Sequence, residues 1–140
     1  MPSFSARSLE RLQTCDQRLQ KLLHAAIRGR DFSVICGYRD REAQNEAFSL
    51  GRSTKRWPES KHNSFPSVAV DIAPYPVDWN DTARFARLVG YIERIAEEME
   101  IPIRWGGDWD QDTFTADERF IDMPHLELLE GTNDRNQLEA

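Results

Sequence analysis

The sequence predicts an α+β fold, with three main helices packed on a small antiparallel sheet of about four strands. Two observations carry this prediction. Apolar residues recur every three or four positions over two long segments, 8–27 and 82–99, as on the buried face of a helix. Four short segments are instead rich in β-branched residues or alternate between apolar and polar residues, as strands do: 32–38, 68–73, 101–105 and 125–128.

The first half of the chain is predicted to contain two helices, a strand and a long loop. The first helix covers segment 8–27 and stops before Gly29, and a buried strand follows. Asp40 then caps the second helix, which continues to about residue 50. Segment 51–66 is rich in Gly, Ser, Pro and Lys and lacks periodicity, so we expect a long loop, and such loops in compact domains often carry function.

The strand predicted after this loop separates one acidic residue from its aliphatic neighbours. Val68, Val70 and Ile72 alternate with Asp71. Successive side chains of a strand point to opposite faces, so we expect Asp71 to face away from the aliphatic core.

The second half of the chain is predicted to form the third helix and two strands. The helix begins after Asn80 or Asp81 and carries an apolar face. The members of that face are Phe85, Leu88, Val89, Ile92, Ile95, Ala96 and Met99. In the last strand, His125 and Glu127 share the face opposite two leucines, so His125 can face a cleft while its neighbours fill the core.

Composition limits the classes of function. The chain of 140 residues fits a single domain, 1–140, in which we expect residues 131–140 to form a polar tail. Its net charge of −6, with Lys and Arg scattered among acids, would repel a phosphate backbone, so we expect no nucleic-acid partner. Cys15 and Cys36 fall within apolar patterns, which favours buried reduced thiols over a disulfide or a nucleophile.

Two histidines and two acids form the most informative pattern in the sequence. Catalytic zinc takes three protein ligands and leaves a fourth position open, whereas structural zinc fills all four, usually with several thiolates. His62, Asp71 and His125 can supply three such ligands, and no Cys-x-x-Cys pair is present. Asp122, three residues before His125, could take a proton from the attacking water and pass it to the leaving amine.

Each of these residues also has a simpler interpretation. His62 could be an exposed loop histidine, His125 a strand histidine bonded to the backbone, and Asp122 a turn acid. A carboxylate among aliphatic residues needs a compensating charge, so Asp71 could pair with an arginine instead of a metal. The joint spacing of the four residues favours the metal site.

The order of these residues resembles a family of zinc peptidases. That family includes D-alanyl-D-alanine carboxypeptidases and dipeptidases and the L-alanyl-D-glutamate endopeptidases of bacteriophage endolysins. Its pattern is Ser-x-His, here ending at His62, then Ala-x-Asp, ending at Asp71, then an acid three residues before a His, here Asp122 and His125. The resemblance implies a fold like that of hedgehog domains and D-alanyl-D-alanine peptidases. The acid before the final histidine is Asp122 rather than a glutamate, which resembles the endopeptidase branch of the family.

The resemblance also implies several residues that bind substrate. Gly-Tyr-Arg ending at Arg39 is similar to a family segment whose arginine binds substrate and stabilises the developing oxyanion, and Gln44 follows it. Ser60, Trp105 and Trp109 are further candidates for substrate contacts. Alternatively, Arg39 pairs with a neighbouring surface acid, Asp40 or Glu42, Gln44 faces solvent, and Trp105 belongs to the core.

The function expected from this resemblance is hydrolysis, by metal-activated water, of the L-alanyl-D-glutamate bond in peptidoglycan stem peptides. The cofactor would be Zn²⁺ and the protein a phage or prophage endolysin. Three alternatives stay open: a D-alanyl-D-alanine carboxypeptidase or dipeptidase, a non-catalytic zinc-stabilised binding domain like those of hedgehog proteins, and a peptidase that uses Cys36.

The location and partners are also expectations. The N-terminus has no apolar core of a signal peptide, and no apolar run approaches membrane length. We therefore expect no membrane insertion and synthesis in the host cytoplasm. The resemblance implies that the protein acts on the cell wall after the membrane has been permeabilised, and we expect a monomer.

Overall fold

Helices and a four-stranded antiparallel sheet form the fold, which confirms the predicted α+β class. The computed structural model describes residues 1–111 and 122–129. Its helices are α1 (Ala6–Leu12), α2 (Gln17–Ala26), α3 (Arg41–Ser49), a 3₁₀ turn (Lys61–Asn63) and α4 (Thr82–Glu98). Its strands are β1 (Phe32–Cys36), β2 (Ala69–Pro74), β3 (Ile103–Trp105) and β4 (His125–Leu128). The polar tail predicted for 131–140 lies outside the described residues.

The single first helix predicted for segment 8–27 is wrong, because the structure divides it into α1 and α2. The chain between them forms two backbone hydrogen bonds with the distant Ser67. The N–H of Asp16 donates to the carbonyl of Ser67 at 2.8 Å, and the N–H of Ser67 donates to the carbonyl of Thr14 at 2.9 Å. These bonds replace the helical pattern, and Asp16 caps α2 by accepting from the N–H of Arg18. The apolar spacing continues across the break, so periodicity alone does not reveal it.

The other two predicted helices are confirmed together with their caps. Asp40 accepts a hydrogen bond from the N–H of Ala43 at the start of α3, and Asp81 accepts one from the N–H of Arg84 at the start of α4. The buried face of α4 consists of Phe85, Leu88, Val89, Ile92 and Ala96. Among the described residues, no helix is both long enough and apolar enough to cross a membrane.

The sheet has the order β1-β2-β4-β3, and each neighbouring pair is antiparallel. Its central strands, β2 and β4, bring Asp71 directly opposite His125. One face of these strands packs into the hydrophobic core through Val70, Leu126 and Leu128. Because side chains alternate along a strand, Asp71 and His125 lie together on the other face, as predicted.

Candidate active site

A cleft of about 930 Å³ lies on the polar face of the sheet. Residues from β1, β2 and β4 form its floor, and the loop between α3 and the 3₁₀ turn forms one wall. Seven of the predicted site residues line it: Arg39, Ser60, His62, Asp71, Trp109, Asp122 and His125.

Asp71 lies between the two histidines at the centre of the cleft. Its Oδ1 is 3.2 Å from Nε2 of His62 and 3.3 Å from Nδ1 of His125. Both imidazoles are buried, with only 2% of His62 and 6% of His125 exposed. The structure therefore brings the three predicted metal ligands into one cluster.

The outer nitrogen of each imidazole has its own partner. Nδ1 of His62 lies 2.8 Å from the carbonyl oxygen of Gly37, and Nε2 of His125 lies 2.8 Å from Oε1 of Glu127. Such partners fix the ring orientation and the tautomer of metal-binding histidines. They leave Nε2 of His62 and Nδ1 of His125 directed at the same carboxylate.

The electrostatics of the cluster favour a bound cation. Burial opposes a charge on His62, but the neighbouring Asp71 carboxylate outweighs burial and raises the pKa of His62 to about 10. Burial would likewise raise the pKa of Asp71, yet the charge of His62 and the hydrogen bond from His125 hold it well below its usual range. The carboxylate thus draws protons onto its two neighbours, and a metal ion could supply the same positive charge.

The available donor atoms suit a divalent metal. Two overlapping sets have their ligand atoms within 4.8 Å of one another: Cys36, His62 and Asp71 form one set, and Asp71, Asp122 and His125 form the other. Asp71 is common to both. Imidazole, carboxylate and thiolate donors fit zinc, although imidazole and carboxylate also bind other transition metals.

Asp122 lies beside this cluster and is held by its backbone. Its N–H donates to the carbonyl of Gly106 at 2.9 Å, and its own carbonyl accepts from the N–H of His125 at 3.1 Å. Burial, and then the negative charge of Asp71, raise the pKa of the Asp122 carboxyl. A raised pKa suits a group that must both accept and return a proton.

Arg39 lines the cleft and is hydrogen-bonded to the buried Gln44. Arg39 lies with Nη2 3.6 Å from Oδ2 of Asp71 and donates from Nη1 to Oε1 of Gln44 at 2.9 Å. The surface pairing of Arg39 with a neighbouring acid, one of the alternatives above, is therefore not what the structure shows. Asp71 has an arginine partner as well as two imidazoles.

Gln44 neither contacts the cleft nor faces solvent, which corrects both expectations for it. Its exposed fraction is 0%. Its amide donates to Oγ of Ser53 and to the carbonyl of Lys55, and its Oε1 accepts from Asn63. Gln44 is therefore a buried anchor for the loop that forms the wall of the cleft.

Ser60 and Trp109 line the cleft, whereas Trp105 belongs to the hydrophobic core. Ser60 lines the cleft and caps the 3₁₀ turn, where its Oγ accepts from the N–H of His62 at 3.2 Å. Trp105 lies in the hydrophobic core with 6% exposure and donates to the carbonyl of Met123, so its expected substrate contact is corrected. Trp109 lines the cleft, with its ring centroid 5.4 Å from that of His125.

The sequence predicts no role for Glu127 or Arg104, which form an ion pair beside His125, with Glu127 buried and Arg104 partly buried. Nη2 of Arg104 donates to Oε2 of Glu127 at 2.8 Å, and the guanidinium also lies over the ring of Trp109. The signal was present in the sequence, because Glu127 shares a strand face with His125.

Comparison with known proteins gives a consistent relationship. The family model described as phage L-alanyl-D-glutamate peptidase matches residues 2–129. The L-alanyl-D-glutamate peptidase of Escherichia phage T5 is 30% identical over 134 residues, which cover 90% of this chain and 97% of that protein. The peptidoglycan L-alanyl-D-glutamate endopeptidase CwlK of Bacillus subtilis is 30% identical over 118 residues, covering 75% of this chain and 65% of CwlK.

A solved structure agrees with these sequence matches. The crystal structure of the Serratia marcescens L-Ala D-Glu endopeptidase ChiX superposes with a TM-score of 0.71 and 29% sequence identity, and the match covers 91% of each chain. The resemblance predicted from the order of His62, Asp71, Asp122 and His125 is therefore confirmed at the level of the family. The chain belongs to the phage L-alanyl-D-glutamate peptidase family.

Proposed function

We propose that this peptidase uses zinc to hydrolyse the bond between L-alanine and D-glutamate in peptidoglycan stem peptides. The observation that carries the proposal is the position of Asp71 between His62 and His125, with Asp122 beside them in an open cleft. A zinc ion held there would activate water and polarise the scissile carbonyl.

The residues of the chain divide this work among them. His62, Asp71 and His125 hold the ion, and the outer partners of the two imidazoles keep both rings in position. Asp122 accepts a proton from the attacking water and delivers it to the amine of D-glutamate as the peptide bond breaks. Arg39, anchored by Gln44, places its guanidinium at the edge of the cleft, where it can stabilise the developing oxyanion.

The wall of the cleft fits an acidic substrate. Arg52, Lys55 and Lys61 are exposed and line it together with one exposed acid, Glu46, and we call the three basic residues the basic wall. D-glutamate contributes a free carboxylate to the stem peptide, so an anionic ligand would meet positive charge although the chain as a whole carries −6. The distribution of charge thus offsets the unfavourable net charge.

The proposal extends to where the enzyme acts. We infer that it is an endolysin, made in the host cytoplasm, that reaches peptidoglycan once the membrane is permeabilised. All the groups named above come from one chain, so we expect a monomer to be active.

Mass spectrometry of fragments released from purified peptidoglycan tests the proposal. The wild type should contain about one zinc per chain, release fragments with a new N-terminal D-glutamate, and lose activity on chelation. Asp122→Ala should retain zinc while its turnover falls by roughly 10²- to 10⁴-fold. Glu97→Ala, on the exposed face of α4, is the control and should match the wild type.

Other outcomes would point to the alternatives. Release of D-alanine would indicate a carboxypeptidase or dipeptidase, and zinc binding without cleavage would indicate a binding domain. Activity that survives chelation but is lost on thiol alkylation would indicate a peptidase that uses Cys36. A protein that binds no metal would overturn the proposed mechanism.

A further inference from the structure

A β-bulge on β1 directs a thiol into the cleft. Val34 pairs with Ile72 on β2, but the next pair joins Cys36 to Asp71, so Ile35 is an extra residue on β1. In a regular ladder, Ile35 would lie opposite Asp71. Bulges re-aim side chains and are common beside active sites. Here the bulge places Cys36 on the same face of the sheet as the metal-binding cluster.

The sulfur lies beside two of the three candidate ligands in that cluster. Sγ of Cys36 and the ligand atoms of His62 and Asp71 are all within 4.8 Å of one another. The thiol lines the cleft and is partly exposed, unlike Cys15, which is buried in the core. The expectation that both cysteines are buried is therefore corrected for Cys36.

A cation beside the sulfur favours its charged form. Nη2 of Arg39 lies 3.7 Å from Sγ, and the same guanidinium also lies near Asp71. Arg39 can therefore offset the negative charge of a thiolate placed next to a carboxylate.

We propose that Cys36 is an exchangeable fourth protein ligand of the metal ion, so that the resting site is closed by sulfur and opens when substrate enters. This inference rests on the proposed function, because it takes the ion held by His62, Asp71 and His125 as given. On closing, the thiol releases its proton to water as the sulfur–metal bond forms. On opening, that bond would break, the thiolate would take up a proton from water, and the fourth position would be free for the water that attacks the substrate.

Such a closed form would have a chemical consequence. Four protein ligands are typical of structural zinc sites, and thiolate donors favour zinc over harder ions. The closed form would therefore retain its ion in the absence of substrate.

Absorption spectra of the Co²⁺-substituted protein test the proposal without an activity assay. Wild type should show a sulfur-to-cobalt charge-transfer band in the near ultraviolet. Cys36→Ser should lose that band but still bind one Co²⁺ and keep the visible d–d bands. Cys15→Ala is the matched control and should keep the charge-transfer band, because Cys15 is outside the cleft.

The outcomes separate this inference from the proposed function. If the wild type binds Co²⁺ without the charge-transfer band, Cys36 is not a ligand, but the metal site stands. A charge-transfer band that persists in Cys36→Ser would contradict the role of Cys36 in the same way. Wild type that binds neither Co²⁺ nor Zn²⁺ would overturn the metal site itself. Alkylation gives a second readout: Zn²⁺ should protect Cys36 from iodoacetamide, and equal labelling with and without the ion would contradict the proposal.

Discussion

Oε1 of Glu127 lies 2.8 Å from Nε2 of His125. Both residues are on β4, two positions apart, so the same strand supplies a candidate metal ligand and the carboxylate that orients it. Arg104 on β3 donates to the other oxygen of Glu127, and only 5% of the Glu127 side chain is exposed. The ring of His125 is therefore oriented by a carboxylate that is itself held in a largely buried ion pair.

Replacing Glu127 should weaken metal binding although it is not a ligand. Loss of an outer partner of a metal-binding histidine typically reduces affinity by about 10- to 100-fold, and we expect that range for Glu127→Ala. Glu127→Gln can still accept a hydrogen bond and should lose less. Competition with a chromophoric chelator measures the change, with the exposed Glu97→Ala as control. Wild-type affinity in Glu127→Ala would contradict the role.

A methyl group at Gly106 should disturb the site through the backbone. A Cβ at this position would overlap the carbonyl oxygen of Asp122, and Gly106 also bonds to the backbone of His125. Gly106→Ala should therefore displace the 122–125 turn, lower peptidase activity, and reduce the free energy of unfolding by about 1–3 kcal/mol.

Gly90→Ala is the matched control for this substitution. Gly90 is on α4, where an added Cβ meets open space. Alanine in a helix interior should raise the free energy of unfolding by about 0.5–1 kcal/mol relative to glycine. Urea unfolding and peptidase assays measure both variants. A Gly106→Ala protein as stable and active as wild type would show that the turn adapts freely.

Local patterns predict the face of the sheet on which the site lies. Asp71 alternates with aliphatic residues on β2, and His125 alternates with leucines on β4, so each is directed away from the core. Local patterns do not predict that Asp71 lies directly opposite His125, because neither strand alone determines the register between them. The order of the motif in the family supplies that missing information.

The features that the sequence did not predict depend on residues far apart in the chain. The break between α1 and α2 requires Ser67, more than 40 residues away from α2. The burial of Gln44 requires partners in the loop that it anchors, and the placement of Cys36 requires a bulge relative to β2. The periodicity of apolar residues within one segment does not predict contacts with residues far away in the chain.

The metal-free protein should lose stability as the pH rises above neutrality. The pKa of His62 is raised to about 10, and that of His125 is also raised, because Asp71 outweighs the effect of burial. A histidine whose pKa is higher in the folded than in the unfolded state stabilises the fold when it is protonated. Its contribution is complete at pH values below the ordinary histidine pKa of about 6.5. This contribution is lost as the pH approaches 10.

Thermal unfolding with chelator or with zinc, from pH 6 to about pH 10, measures this effect. Tm of the metal-free protein should fall across the range, whereas the gain from zinc should grow because protons no longer compete for the imidazoles. Asp71→Asn removes the carboxylate that raises both pKa values and should flatten the metal-free curve. A metal-free Tm that does not fall in the wild type would contradict the assigned charge state.

The basic wall should make substrate binding depend on salt. Among residues 1–111 and 122–129, no ion pair involves Arg52, Lys55 or Lys61. Exposed ion pairs contribute about 0.2–1 kcal/mol, so removing Lys55 or Lys61 should raise KM for a stem peptide by about 1.5- to 5-fold. Lys21→Ala, on the exposed side of α2, is the control.

Steady-state kinetics at rising NaCl concentration measure the contribution of these charges. KM should increase in the wild type and increase less in the double variant Lys55→Ala/Lys61→Ala, because salt screens charges that the variant lacks. Equal salt dependence in the two proteins would show that the wall does not contact the substrate.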